Sequence, residues 1–299
     1  MPVEIPAAYR AMPRWWAATA PDRAWLAALP ATVDAWCDRW SLALDGPVSH
    51  GSHALVVPVR ADGSASVLRL SPPSQDVGPL AAALAFWREH GAVELLRTDR
   101  TAGVLLLERL GPATLAHEPL GLAVGEIGRV ARRLAVPVPA DVAAGLPQTS
   151  DVVRERTPAL RTAWSRLGRP FRERFLAAAE AAAAAILTGR RELVAVNGDL
   201  HYAQVLRGSD GGWRVVDPVL LAGDAERTAV DVLWHRVDEM SDAEIPRWFA
   251  ALVGAAALDP ELAPAWAVWR VTDYWLWGLE HGLTEDPARC HRLATALGA

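Results

Sequence analysis

The stretch VNGDLHYAQVL, residues 196–206, decides how this chain reads. It continues the apolar run LVAV, so it lies at the end of a short buried strand. Gly198 permits a tight turn there, which suits an acid, Asp199, that must face outward. Gln204 follows five residues later, and Asp217, inside WRVVDP, thirteen after that. Phosphoryl transfer asks for a group that orients and deprotonates an acceptor, oxygen ligands for Mg2+, and cations on the phosphates. Asp199 suits the first role, and Gln204 and Asp217 suit the second. Each also has a plainer reading. Asp199 could cap a turn, Gln204 could open a helix, and Asp217 could close a strand before Pro218. In this order and spacing, the three point together to a phosphotransferase.

Working toward the N-terminus, HALVVPV (53–59) and ASVLRLS (65–71) flank Asp62-Gly63, a strong hairpin signal. A helix is expected over 80–89, then strands AVELL and GVLLLERL around the turn 98–101. Residues 14–42 carry Trp15, Trp16, Trp25, Leu26, Leu29, Val33 and Trp36 at helical spacing, with Pro21 and Pro30 expected to break them into short helices. Toward the C-terminus, helices are expected over 122–134, 151–165 and 171–187, the last closed by Gly189. Others are expected over 224–240, 243–256, 263–279 and 286–297. LVAV and WRVVD are the only strands expected in that half. The layout is α+β and two-lobed. A helical segment (1–44) and a small β-rich N-lobe (45–111) precede a larger helical C-lobe (112–299), with a cleft at the connector near Glu108.

Composition narrows the function further. The chain has 299 residues, 52% hydrophobic and 22% charged, ample for a packed core. Net charge is −5, and arginines and acids are interspersed, so there is no footprint for nucleic acid. No apolar run approaches the roughly 18 residues of a membrane span. Two distant cysteines, Cys37 and Cys290, form no metal or redox pair, which suits a cytoplasmic protein with reduced thiols. All 30 basic residues are arginines, lysine being absent, and Asn197 is the single asparagine.

These stretches resemble a known family. AWLAALPATVDAWCDRWSL, VRADGSASVLRLSPP, HGAVELLRTDRTAGVLLLERLGP, NGDLHYAQVLRG, WRVVDP and YWLWGLEHGLTEDPARC look like successive blocks of the aminoglycoside phosphotransferases, in the streptomycin 6-kinase branch, the aminoglycoside/hydroxyurea antibiotic resistance kinases. The resemblance implies a bilobal protein-kinase-like fold, with ATP or another nucleoside triphosphate and Mg2+ as cofactors. It makes Asp199 the catalytic base and Gln204 and Asp217 the metal ligands. Glu108 to Leu110 becomes the adenine hinge, and Gly46 to Ser52, with Ser49, Gly51 and Ser52, the loop over the phosphates. Asp231 resembles a later structural Asp. The implied partner is a small-molecule acceptor, a cationic aminoglycoside among the options, met by a monomer or weak dimer.

The chain departs from the family pattern at four positions. The phosphate-gripping lysine is Arg69, longer and planar rather than a like-for-like substitute. Its partner glutamate falls on Leu80. The metal-binding Asn is Gln204, and the His before the glycine is Asn197. An active kinase therefore stands beside an alternative: a degenerate or repurposed kinase-fold protein, a pseudokinase or a natural-product biosynthesis enzyme. For a polycationic acceptor such as streptomycin, with two guanidinium groups, the site would want carboxylates and aromatic faces. Asp238, Glu239, Asp273, Trp277 and Glu280 are the candidates for such a wall. The other reading puts those tryptophans in the core and those acids in solvent.

Overall fold

The computed structural model describes residues 3–11, 19–188 and 192–298. Trp15, Trp16 and Gly189 lie outside the described residues. The chain divides into two compact units, Met1–Gly111 with Gly208–Asp210, and Pro112–Arg207 with Gly211–Ala299.

In the first unit, helices α1 (Ala7–Ala11) and α2 (Ala20–Trp40) precede strands β1 (Leu42–Leu44), β2 (Ser49–His50), β3 (Leu55–Ala61) and β4 (Ser64–Leu70). Helix α3 (Gly78–Phe86) and strands β5 (Leu95–Asp99) and β6 (Val104–Glu108) follow. The strands form one antiparallel sheet in the order β1-β3-β4-β6-β5, with β2 also on β3. Asp62 (φ 48°) and Gly63 (φ 80°) turn β3 into β4, two left-handed residues as a primed hairpin turn requires. Leu55 pairs with Leu70 and Val57 with Leu68, all fully buried. They share a core with Leu29, Val33 and Trp36 of α2.

That packing corrects one expectation. Pro21 and Pro30 do not break residues 14–42 into short helices, because α2 is a single helix of 21 residues. Pro21 lies in its first turn, where a missing N–H costs nothing. Thr19 caps it by accepting from the Asp22 amide at 3.3 Å. Pro30 is interior and forfeits a helical hydrogen bond, worth about 3 kcal/mol with the associated clash. Burial of Leu29, Val33 and Trp36 against the sheet offsets this, at about 1.5–3 kcal/mol per side chain.

In the second unit, α4 (Leu120–Leu134), α5 (Ala140–Ala143), α6 (Thr149–Arg166) and α7 (Glu173–Thr188) lead to β7 (Val194–Asn197). Strands β8 (Val205–Arg207), β9 (Trp213–Val215) and β10 (Leu220–Gly223) follow, then α8 (Arg227–Trp234), α9 (Ile245–Ala256), α10 (Leu262–Glu280) and α11 (Glu285–Ala296). The unit thus holds two strands beyond the two expected. Strand β10 pairs with β7, and β8 with β9. Segments of three or four residues are too short to show an alternating pattern. The helix expected over 224–240 is also shorter: α8 ends at Trp234 and a 3-10 turn, Val237–Glu239, follows. Trp266 and Trp269 of α10 are fully buried. Their indole N–H groups donate to Asp224 and Thr157, each at 2.9 Å, so neither buried donor is orphaned.

Candidate active site

Strand β7 ends at Asn197, and hydrogen bonds around it shape the loop that follows. The Asn197 side-chain carbonyl accepts from the amides of Asp199 (3.1 Å) and Val219 (3.0 Å). Gly198 donates its amide to the Val219 carbonyl at 2.8 Å. A Cβ on Gly198 would meet Leu221 Cδ1 at 2.8 Å, so any larger residue there requires the Leu221 side chain to move. Asn197, 5% exposed, therefore ties the loop bearing Asp199 to the segment just after Asp217. The sequence reading treated Asn197 only as a departure, and its bracing role went unseen. Its status as the single asparagine of the chain was the available signal.

Asp199 and Gln204 are in direct contact. Gln204 Nε2 donates to Asp199 Oδ2 at 2.8 Å. The other end of that amide, Oε1, is buried and has no hydrogen-bond partner. The Gln204 main-chain carbonyl accepts from the Val216 amide at 2.9 Å, which places Asp217 one residue beyond a direct link to Gln204. Asp217 is left-handed (φ 51°) and stands immediately before Pro218. A residue preceding proline favours extended backbone, so this conformation is held by its surroundings at a local strain of order 1–3 kcal/mol. The structure joins Asp199 and Gln204 directly and ties Gln204 to Val216, the residue before Asp217. Among the described residues no three His, Cys, Asp or Glu side chains cluster to hold a metal. A magnesium ion shared with a nucleotide needs only one or two protein carboxylates.

Beside this loop lies a cavity of about 200 Å³, entirely within the second unit. Asp199, Asp231, Trp234, His235, Arg270 and Tyr274 contribute to its wall. Arg270 Nε donates to Asp231 Oδ1 at 3.0 Å, and Arg227 lies 3.7 Å from the other carboxylate oxygen. His235 and His201 face each other with ring centroids 4.8 Å apart, and desolvation lowers both imidazoles below their ordinary value. The Tyr274 hydroxyl donates to Asp286 at 2.9 Å, and burial, followed by that bond, pushes its pKa up to about 12. Arg270, Tyr274 and His235 were not singled out as part of the site from sequence, because nothing in their spacing marks them as neighbours of Asp199.

The candidate substrate wall lies elsewhere. Asp238, Glu239, Asp273, Trp277 and Glu280 do not line the cavity. Asp238 is paired with Arg289 at 2.5 Å and Glu239 with Arg236 at 2.5 Å, while Glu280 is paired with Arg166. Asp273 is buried, 2.6 Å from Arg156 and 3.8 Å from Arg270. Trp277 is stacked against Tyr274 and His281.

In the first unit, Arg69 is 8% exposed on β4, and its Nη1 donates to Ser71 Oγ at 2.5 Å. Helix α3, which carries Leu80, has no charged residue. Glu108 exchanges two hydrogen bonds with the main chain of Glu94, and Leu110 follows just past β6. Ser49 pairs with Val56, and the turn through Gly51 and Ser52 closes with Gly51 donating to the Ala54 carbonyl at 3.0 Å.

A small antiparallel sheet with helices α1 to α3, a helical second unit and an acid-bearing loop after a short strand define the class: a bilobal protein-kinase-like α+β phosphotransferase. More narrowly, residues 39–282 match the aminoglycoside/hydroxyurea antibiotic resistance kinases, and the chain belongs to that family. It is 35% identical to the streptomycin 6-kinase of Streptomyces griseus, over 88% of this chain and 87% of that one. It is 33% identical to the hydroxyurea phosphotransferase of Kitasatospora aureofaciens, over 90% of this chain and 79% of that one. Its fold is similar to that of a thermostable mutant of aminoglycoside phosphotransferase APH(4)-Ia in ternary complex with AMP-PNP and hygromycin B. There the TM-score is 0.60 and the identity 16%, over 90% of this chain and 99% of that one. The chain is accordingly a small-molecule O-phosphotransferase. No helix among the described residues is long and apolar enough to cross a membrane.

Proposed function

We propose that this enzyme transfers the γ-phosphoryl group of ATP, with Mg2+, to a hydroxyl of a small molecule. The observation that carries this reading is the position of Asp199, which lines the cavity while Gln204 fixes its carboxylate. The acceptor hydroxyl gives its proton to Asp199 as its oxygen bonds to the γ-phosphorus. The bond from that phosphorus to the bridging oxygen breaks, and ADP leaves with the electron pair. Gln204 and Asp217 are the residues that would hold the metal. The fit rests on Gln204 Oε1, a buried carbonyl oxygen without a partner, which is the donor type a hard cation takes. When bound, the metal neutralises charge on the phosphates. In the first unit, Arg69 is assigned to the phosphates, Glu108 and Leu110 to adenine, and Ser49, Gly51 and Ser52 to the phosphate loop. The relatives' names supply two acceptors to try, streptomycin and hydroxyurea, with antibiotic inactivation as the outcome in the cell.

The test is a thermal shift with Mg-ATP, followed by acceptor-dependent ADP release. Nucleotide at one hundred times its dissociation constant should add about 2.7 kcal/mol of stability. A flat response to every nucleoside triphosphate would end this reading.

A further inference from the structure

The charges around the acceptor cavity balance, and this bears on what can enter it. Two carboxylates, Asp231 and Asp273, face three guanidinium groups. Arg270 reaches both, Arg227 lies by Asp231, and Arg156 lies by Asp273. That network leaves a surplus of one positive charge, which the Asp199 carboxylate cancels. The remaining polar groups at the wall are neutral. Tyr274 is held as a phenol, and His235 is held as an imidazole by desolvation. The four acids that would greet a polycation, Asp238, Glu239, Asp273 and Glu280, are each paired with an arginine and lie off the cavity wall. A cation entering here would shed water, and of the two carboxylates on the wall, Asp231 is already paired with Arg270 and Arg227, which leaves Asp199, the one the chemistry needs. Size points the same way. A closed cavity of about 150 Å³ accepts benzene, so the about 200 Å³ enclosed here holds one substituted six-membered ring of whatever acceptor enters.

Resting on the phosphotransfer reading above, we propose that the acceptor presents an uncharged, hydroxyl-bearing group of single-ring size or smaller to this cavity. Arg270, by neutralising Asp231 at the cavity wall, is the specificity-determining residue that excludes cationic acceptors. The transfer itself is unchanged: the acceptor oxygen takes the γ-phosphoryl group from ATP, its proton goes to Asp199, and ADP leaves.

Binding is measured first, without nucleotide, by ligand-observed NMR on the full chain with hydroxyurea, myo-inositol and streptomycin. Turnover is then measured with Mg-ATP. At least one uncharged probe should bind at least tenfold more tightly than streptomycin and show at least a tenfold higher kcat/KM. Tighter binding of streptomycin, or no binding by either uncharged probe, overturns the proposal. Binding in the expected order without phosphorylation supports the cavity's selectivity and counts against the phosphotransfer reading instead. Arg270→Gln should narrow or reverse the preference by at least tenfold, whereas Arg270→Lys, which keeps the charge, should retain it. If the Gln variant does not fold, the Lys variant decides: loss of the preference with the charge retained overturns the role given to Arg270.

Discussion

Around Asp199 in the second unit, every departure from the family pattern is absorbed by a hydrogen bond. Asn197, where the family has His, accepts from two loop amides. Gln204, where the family has Asn, reaches Asp199 with one end of its amide and leaves a carbonyl oxygen free at the other. Around Arg69 in the first unit, the substitutions are met differently. Its Nη1 donates to Ser71 Oγ, on its own strand segment, and α3 carries no acid where the family places a glutamate. The loop bearing Asp199 holds its shape with different residues, while positions 69 and 80 carry Arg and Leu in place of the family's lysine–glutamate pair. The two regions therefore differ in kind: at positions 197 and 204 the new side chains bond within the loop that carries Asp199, and at position 69 the new side chain bonds to Ser71 on its own strand segment.

The comparison breaks most directly at Asp199. Asp199→Ala should lower acceptor-dependent ADP release by about 10²–10⁴-fold and leave the circular dichroism spectrum intact, since this side chain is exposed. A variant as active as the parent would remove Asp199 as the base. Next comes the buried network behind the cavity. Asp273→Ala strands two arginines and should destabilise the fold by about 3–5 kcal/mol in urea titration. A loss under about 1 kcal/mol would mean the network is solvated. Asn197→Ala leaves two loop amides without an acceptor and should cost about 2–3 kcal/mol. It should also lower kcat more than it raises KM, because the loop carrying the base is loosened. An unchanged kcat would reduce Asn197 to a structural residue. The smallest effects belong to the first unit. Arg69→Lys alone should change kcat/KM for ATP by less than about threefold, while Arg69→Lys with Leu80→Glu should raise it toward tenfold, about 1.4 kcal/mol, if the lost pair is restored. Equal activity in parent, single and double variants would show that position 69 does not grip phosphate.

What could be read from the sequence depended on how local the signal was. The Asp62-Gly63 hairpin was legible because two consecutive left-handed residues leave few other choices. Most long helices were legible because their apolar period is also local. The fusion of residues 20–40 into one helix was not, because the penalty at Pro30 is local but its compensation comes from a sheet that follows in sequence. Strands β8 and β10 gave too few residues for a period. The cavity wall joins Asp199 to Arg270 across 71 positions, and the pairing of each candidate substrate acid with an arginine is likewise a tertiary fact.

The helix that spans Pro30 has a practical consequence for anyone who trims this protein. The match to the kinase family begins at residue 39. Yet seven of the fifteen buried side chains in the first unit's core cluster come earlier, namely Val3, Ile5, Tyr9, Leu29, Val33, Trp36 and Cys37. An expression clone cut at the family boundary would lay bare the greasy side of the β-sheet, inviting aggregation. The insoluble product would be mistaken for proof that the first unit cannot fold.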